Sequence, residues 1–72
     1  MRIKFWEIFQ ENPNGSISPR TIIRIGGVTL SPGVSFVKGV TFGGVDFFNY
    51  YGMDFEIDKN GTITIIKGIY TN

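Results

Sequence analysis

The sequence predicts a small all-β fold: an antiparallel sheet or partly open barrel of about five strands, with terminal hairpins and a bent, glycine-rich middle. Three observations support this prediction. Short runs rich in β-branched and aromatic residues recur along the chain. Turn-forming Asn, Asp, Pro and Gly separate these runs, and glycine recurs through the middle of the chain. We expect residues 1–72 to form a single domain, because a chain of 72 residues supplies one marginal core at most.

The N-terminal segment, residues 2–11, is compatible with either a strand or a short helix. Phe5, Ile8 and Phe9 have helical spacing, whereas Ile3, Phe5 and Phe9 fit alternation along a strand. The aromatic and β-branched content favours the strand.

A turn follows this segment. The four residues from Asn12 to Gly15 have the composition of a type I turn closed by a glycine bulge, which is a common hairpin connection. This turn folds residues 2–11 against the chain from Ser16 onward. Pro19 has no N–H to donate to a ladder, so we expect the returning strand to be interrupted there or to lie at an edge.

The next predicted strand spans residues 21–25. Gly26 and Gly27 bend the chain before a short strand at residues 28–30, and a turn follows at residues 31–33.

A four-residue phrase of glycine, an apolar residue, a polar residue and phenylalanine then occurs four times. Its copies begin at Gly33, Gly39, Gly44 and Gly52. The steps between copies are irregular, which argues against a solenoid. We expect the phenylalanines to fill the core and the glycines to bend the surrounding sheet.

Alternation within this stretch predicts strand structure. The even positions of residues 34–42 form an apolar face interrupted by Lys38. At Gly43 and Gly44 the apolar residues move from even to odd positions, as they do at a bulge or a turn. We predict residues 46–52 to be irregular, with a single helical turn capped by Asp46 as the alternative.

The C-terminal segment predicts a hairpin with two competing registers. A two-residue turn would pair Ile57 with Thr64 and mix polar and apolar side chains on each face. A type I turn at residues 58–61 with a glycine bulge pairs Ile57 with Ile63 and separates the faces, so we predict this register. Residues 62–70 are β-prone and low in charge, so we predict that they are paired on both sides.

The same hairpin resembles part of a calcium-binding EF-hand loop between Glu56 and Ile63. Glu56 stands where the loop begins with Asp, however, and Lys67 occupies the position of the bidentate Glu. The chain also has no cysteine and no histidine, which removes thiolate and imidazole ligands. We therefore expect a hairpin turn here, no metal site and no cofactor.

The chain has no recognisable catalytic constellation. Serine and threonine have no histidine partner, and the glycine pairs lack the spacing and lysine of a phosphate loop. Alternation places Asp54, Glu56 and Asp58 on one solvated strand face, where nothing splits their pKa values into an acid and a base. We expect a non-enzymatic protein.

The composition instead indicates a binding or assembly module. Hydrophobic residues make up 42% of the chain and charged residues only 18%, so apolar surface remains uncovered in a monomer. We predict a homo-oligomer that associates through this surface, and we name no other protein partner. The alternative is a small barrel that binds single-stranded nucleic acid. The candidate partner-contact residues are Trp6, Tyr50, Tyr51, Lys4, Arg20 and Arg24.

The first residues of the chain bear on the cellular compartment of the protein. The chain begins basic and then apolar, but Glu7, Gln10 and Glu11 interrupt the apolar run. A secretory signal or a membrane span needs a longer apolar segment. We therefore expect a cytoplasmic protein with no membrane partner.

Overall fold

The computed structural model describes residues 1–71, and it confirms the small all-β prediction. Seven short strands are joined by one turn of α-helix and one 3₁₀ helix. The elements are β1 (Arg2–Lys4), α1 (Phe5–Ile8), β2 (Phe9–Glu11), β3 (Ile17–Pro19), β4 (Ile22–Ile25), β5 (Val28–Leu30), the 3₁₀ helix (Phe47–Tyr50), β6 (Asp54–Asn60) and β7 (Ile63–Tyr70).

Five strands form the main sheet, in the order β1-β6-β7-β4-β5. Strands β4 and β7 run parallel, and the other neighbours are antiparallel. The sheet is therefore mixed rather than purely antiparallel, and it stays open with β1 and β5 at its edges. Strands β2 and β3 form a separate two-stranded sheet.

The N-terminal segment, residues 2–11, contains both of the structures that its pattern allowed, strand and helix. Strand β1 pairs with β6, α1 follows as one helical turn, and β2 then pairs with β3. The strand prediction was wrong for residues 5–8. The helical turn buries Phe5 and Ile8 together on the core, and the Glu7 side chain accepts a hydrogen bond of 2.9 Å from the backbone N–H of Lys4. Capping and burial together outweigh the β propensity of the aromatic residues.

The predicted first turn is confirmed. The N–H of Gly15 donates to the carbonyl of Asn12 at 2.9 Å, and Gly15 has a φ of +86°. Strand β3 ends at Pro19, as the missing N–H requires. The glycine-containing turn between β4 and β5 is also confirmed, since Ile25 lies opposite Val28.

The strand predicted at residues 34–42 does not form. Only isolated bridges occur there, at Phe36 with Ile17 and at Phe42 with Val45. Turns break the segment instead, with Val34 donating to the Ser31 carbonyl at 3.0 Å and Val40 to the Val37 carbonyl at 3.3 Å. A pattern of alternating residues does not reveal how far a partner strand extends, and here β3 reaches only Phe36, through Ile17.

The glycines of this stretch therefore build turns in a loop and do not bend a sheet. Gly43 and Gly44 both have positive φ, and they close a two-residue turn in which Phe42 and Val45 exchange backbone hydrogen bonds of 2.8 and 2.9 Å. A turn was one of the two alternatives, with a bulge, for the shift of the apolar positions at Gly43 and Gly44.

The prediction of irregular structure at residues 46–52 was wrong, because a 3₁₀ helix spans Phe47–Tyr50. The Asp46 side chain accepts a hydrogen bond of 3.0 Å from the N–H of Phe48, which satisfies a donor at the start of the helix. The alternative of a single helical turn capped by Asp46 is the correct one.

The C-terminal hairpin forms, but in neither of the two registers considered. Asn60 pairs with Ile63, so the turn consists of Gly61 and Thr62. Gly61 has a φ of +62° at the first central position, as in a type II′ turn. A bulge between Glu56 and Ile57 shifts the register further along the hairpin.

Strand β7 is paired on both sides over only part of its length. It pairs with β6 along the hairpin, whereas its pairing with β4 covers Ile63 to Ile65. The prediction of two-sided pairing is correct for these three residues and wrong for the remainder.

The core is rich in phenylalanine, as predicted. Five of the seven phenylalanines are buried, and Phe42 and Phe48 pack partly buried against them. The buried hydrophobic cluster comprises Phe5, Ile8, Phe9, Ile17, Ile23, Ile25, Leu30, Phe36, Phe47, Phe55, Ile57 and Ile66.

Candidate functional site

Two of the predicted contact residues, Trp6 and Tyr51, form an exposed aromatic pair. Their ring centroids are 4.8 Å apart in an edge-on arrangement, with an interplanar angle of 86°. The side chains are 38% and 41% exposed. The pair arises because α1 turns Phe5 and Ile8 inward and leaves Trp6 on its outer side, while Tyr51 directly follows the 3₁₀ helix.

The aromatic pair rests on the core. The ring of Phe5 lies 4.7 Å from Trp6 and 5.5 Å from Tyr51, and Phe5 itself is buried. Phe48 stacks on Tyr51 at 5.7 Å with an interplanar angle of 20°. Both rings of the pair are therefore packed against neighbouring aromatic side chains, an arrangement that limits their rotamer freedom.

Arg20 lies beside the aromatic pair, but its side chain has a structural task. Its Nε donates to the carbonyls of Trp6 at 3.0 Å and Phe9 at 2.8 Å. These are carbonyls of the single helical turn and of the residue after it, which α1 is too short to satisfy internally. The charge of Arg20 therefore supports the end of α1.

Acidic groups also accompany the aromatic pair. Glu7 follows Trp6 on α1 and accepts the hydrogen bond from the backbone of Lys4. Desolvation raises the pKa of Tyr51 above its ordinary value of 10.0, and the neighbouring Glu11 carboxylate raises it further. The Tyr51 hydroxyl is therefore a protonated hydrogen-bond donor at neutral pH.

The structure separates the remaining predicted contact residues. Lys4 stands at the start of α1, close in the chain to the aromatic pair. Tyr50 instead lines a cleft beside β7. Arg24 is exposed on β4, opposite Thr29 of β5 and Ile65 of β7. The six residues therefore do not form one surface.

A second exposed apolar feature was hidden in the pattern of residues 34–42. Val34, Val37 and Val40 are all exposed, with Val37 the most exposed at 55%, and we call them the valine loop. The alternation made Val34 and Val40 look like one face of a strand. In the structure, only isolated bridges form along residues 34–42, and these valines lie at the surface.

The cleft beside β7 was also not predicted from the sequence. Its volume is about 420 Å³, and its walls come from the ends of β4 and β7, from the loop before the 3₁₀ helix and from the helix itself. The lining residues are Ile25, Gly26, Val45, Tyr50, Ile66, Lys67, Gly68, Ile69 and Thr71. No pattern in the sequence indicates that β4 stops short of the end of β7.

A cluster of polar side chains occupies the solvent face of β1, β6 and β7. Arg2 Nε pairs with Asp54 Oδ2 at 2.6 Å, and the Arg2 guanidinium lies 4.1 Å from the centre of the Tyr70 ring. Glu56 forms an ion pair with the N-terminal ammonium group and accepts a hydrogen bond from the Tyr70 hydroxyl.

These contacts shift two pKa values in opposite directions. The ammonium group, and then Tyr70, hold the pKa of Glu56 below its ordinary value of 4.5. The hydrogen bond to Glu56, and then desolvation, raise the pKa of Tyr70 above 10.0. The cluster therefore keeps Glu56 ionised and Tyr70 protonated at neutral pH, which suits a structural ion pair.

Within residues 1–71, no group of three or more acidic, histidine or cysteine side chains is arranged to hold a metal ion. No helix in this part of the chain is long and apolar enough to cross a membrane.

No protein-family model matches the chain, and comparisons with curated proteins and with solved structures also find no match.

Proposed function

We propose that this protein is a non-enzymatic assembly module that associates with copies of itself through exposed apolar surface, with the aromatic pair Trp6–Tyr51 as the principal contact. The observation that carries this proposal is the exposure of two fixed aromatic rings on a core that is already filled. Tryptophan and tyrosine are the residues most enriched among those that dominate binding energy at protein interfaces.

The state of the core supports this assignment. Every buried side-chain nitrogen or oxygen within residues 1–71 has a hydrogen-bond partner, and the buried hydrophobic residues form one cluster. The exposed aromatic pair is thus not a gap in packing. The valine loop adds further apolar surface that the core does not use.

The available chemistry also favours binding over catalysis. The chain contains neither histidine nor cysteine. Asp54 and Glu56 are engaged in ion pairs, and the pKa of Glu56 is lowered, away from the range of a general acid at neutral pH.

Self-association is tested by size exclusion with light scattering over a series of protein concentrations. We expect the average mass to rise with concentration for the natural sequence. Tyr51→Lys and Trp6→Lys place a charge at the contact and are expected to weaken association by about 30-fold or more, the effect of losing a dominant contact residue. A monomer at every concentration would overturn the proposal.

Thr29→Lys is the matched control, because it adds the same charge at an exposed position on β5. It is expected to leave the mass profile unchanged. Val37→Lys reports separately on the valine loop. Far-ultraviolet circular dichroism and urea unfolding establish that each variant is folded.

Binding of single-stranded nucleic acid is the second candidate. The exposed rings of Trp6 and Tyr51 offer stacking surfaces, and Lys4 and Arg20 lie near them. Against it, Arg20 is bonded to backbone carbonyls and Glu7 adds negative charge nearby. A labelled oligothymidylate titrated across a salt series tests this function, and no binding even at low salt would remove it.

A further inference from the structure

Strand β7 has an open edge over its last residues, because its neighbour β4 ends before β7 does. The parallel pairing of these strands stops at Arg24 opposite Ile65, and β4 then ends at Ile25 and turns into β5. Strand β7 continues to Tyr70 with β6 on one side only. Within residues 1–71, no strand lies against the other side of residues 67–70, whose outward N–H and C=O groups form an unpaired edge.

The cleft of about 420 Å³ lies at this edge. Its apolar walls include Ile25, Ile66 and Ile69, and Val45 and Tyr50 bound it from the loop and the 3₁₀ helix. Gly26 and Gly68 carry no side chains that would screen the backbone. The cleft therefore places an unpaired strand edge next to apolar contact surface, which is the combination used when an extended peptide adds to a sheet.

We propose that residues 67–70 of β7 receive an extended peptide as an additional strand. The peptide hydrogen-bonds to the β7 backbone in the position that β4 leaves, and it turns alternate apolar side chains into the cleft. This surface is separate from the aromatic pair, so the inference does not rest on the proposed self-association.

The charge of the cleft specifies the peptide further. Among the lining residues within the described range 1–71, Lys67 is the only charged one. Its ion pair with Asp58 is long, at 3.5 Å, and both side chains are more than half exposed, so the pair contributes little and is readily exchanged. The peptide that fits has apolar residues at alternate positions and an acidic residue beside Lys67.

The cleft walls favour a peptide over a second copy of the chain. In a second copy, Val45 and Tyr50 likewise line the cleft beside the β7 edge. Pairing of two β7 edges would bring both sets of walls together, whereas a single extended strand brings no walls of its own and needs a width of about 5 Å, the spacing of neighbouring strands.

The test uses nuclear magnetic resonance, which detects weak binding to a short edge. The probe is a capped peptide of alternating sequence, Thr-Val-Asp-Val-Thr-Val, titrated into the ¹⁵N-labelled protein. We expect shifts of the amide signals of residues 67–70, Gly26 and Val45, and slower amide exchange along residues 67–70. Shifts centred on Trp6 and Tyr51 would overturn the proposal.

Two control peptides separate strand addition from simple apolar contact. The first has N-methyl groups along its backbone, which remove the donors of the ladder, and it is expected not to bind. The second replaces Asp by Lys and is expected to bind more weakly. Equal binding of the methylated and unmethylated peptides would overturn strand addition.

Charge reversal on the protein completes the test. Lys67→Glu is expected to weaken binding of the acidic peptide by about two- to fivefold, the range for an exposed ion pair, and to strengthen binding of the lysine peptide. Lys59→Glu changes the same charge at an exposed position of β6 outside the cleft, and it is expected to leave both affinities unchanged. If Lys67→Glu alters neither peptide's affinity, the assignment of an acidic partner is wrong.

Discussion

The carboxylate of Asp46 accepts a hydrogen bond of 2.9 Å from the backbone N–H of Gly39, seven residues earlier in the chain. Its other oxygen accepts a hydrogen bond of 3.0 Å from the N–H of Phe48 at the start of the 3₁₀ helix. One side chain thus joins the valine loop to the segment that supplies Phe47 to the core and Tyr51 to the aromatic pair. Hydrogen bonds to a charged acceptor are stronger than those between neutral groups.

Asp46→Ala is expected to lower the free energy of unfolding by about 1–2 kcal/mol, because it removes a helix cap and a loop contact together. Urea denaturation measures the loss. Amide exchange at Gly39 and Phe48 is expected to accelerate in the folded state, which shows that both contacts are broken.

Asp58→Ala is the control, since it also removes a carboxylate but from an exposed, long ion pair. It is expected to change stability by less than about 0.5 kcal/mol. Equal losses in the two variants would contradict the role assigned to Asp46.

The adjacent Gly43 and Gly44 offer a matched pair of substitutions. Both have positive φ, at +57° and +81°, so alanine at either position costs about 1–2 kcal/mol. A Cβ at Gly43 would also lie 3.1 Å from the carbonyl oxygen of Ile25, whereas nothing lies within 4 Å of a Cβ at Gly44.

Gly43→Ala is therefore expected to destabilise the protein by about 1 kcal/mol more than Gly44→Ala. Thermal or urea unfolding of the two variants measures the difference. Identical losses would mean that the turn moves away from β4 without cost.

Phe47 and Phe48 are neighbours in the 3₁₀ helix with different burial. Phe47 is fully buried and contacts the rings of Phe9 and Phe55, whereas Phe48 is half-buried. Phe47→Ala is expected to cost about 3–5 kcal/mol and Phe48→Ala about 1–2 kcal/mol. Urea unfolding compares them, and Phe47→Leu serves if the alanine variant does not fold. A larger loss at Phe48 would contradict the packing described.

The Glu56–Tyr70 contact predicts a dependence of stability on pH at both extremes. The pKa of Glu56 is lowered in the fold, so its contribution is present above pH 4.5 and is lost as the pH falls through the folded value. The pKa of Tyr70 is raised, so its contribution is present below pH 10.0 and is lost as the pH rises through the folded value.

Urea midpoints measured across the pH range test this pair. Tyr70→Phe is expected to reduce the alkaline part of the dependence, leaving the share of Tyr51, whose pKa is also raised. It is also expected to reduce the acid part without removing it, because the N-terminal ammonium group still lowers the pKa of Glu56. Glu56→Gln is expected to flatten both parts. An unchanged profile in Glu56→Gln would show that other groups set the dependence.

Local sequence determined the fold class, the first two turns and the inward-facing phenylalanines. The turns at Asn12–Gly15 and at Gly26 were predictable because short-range chemistry decides them: Asn stabilises the turn locally, and glycine accepts positive φ. The phenylalanines were predictable because burying each ring removes a large apolar area from water.

Tertiary structure decided whatever depends on which segments become neighbours. Residues 34–42 alternate like a strand, yet within them only Phe36 pairs with a strand, at Ile17 of β3, and the valines that looked internal are exposed. The C-terminal hairpin turns at Gly61 and Thr62 and contains a bulge between Glu56 and Ile57, neither of which the local pattern indicates. The parallel pairing of β4 with β7 joins segments that are far apart in the chain.

The candidate sites divide in the same way. Residue type alone indicated that Trp6 and Tyr51 were suited to an interface, because a large aromatic ring gains most from leaving water. Their contact with each other, and the open edge of β7 beside Ile25, arise only when distant segments pack together. Local propensity operates over a few residues, whereas these surfaces depend on contacts that the chain makes only as it closes on itself.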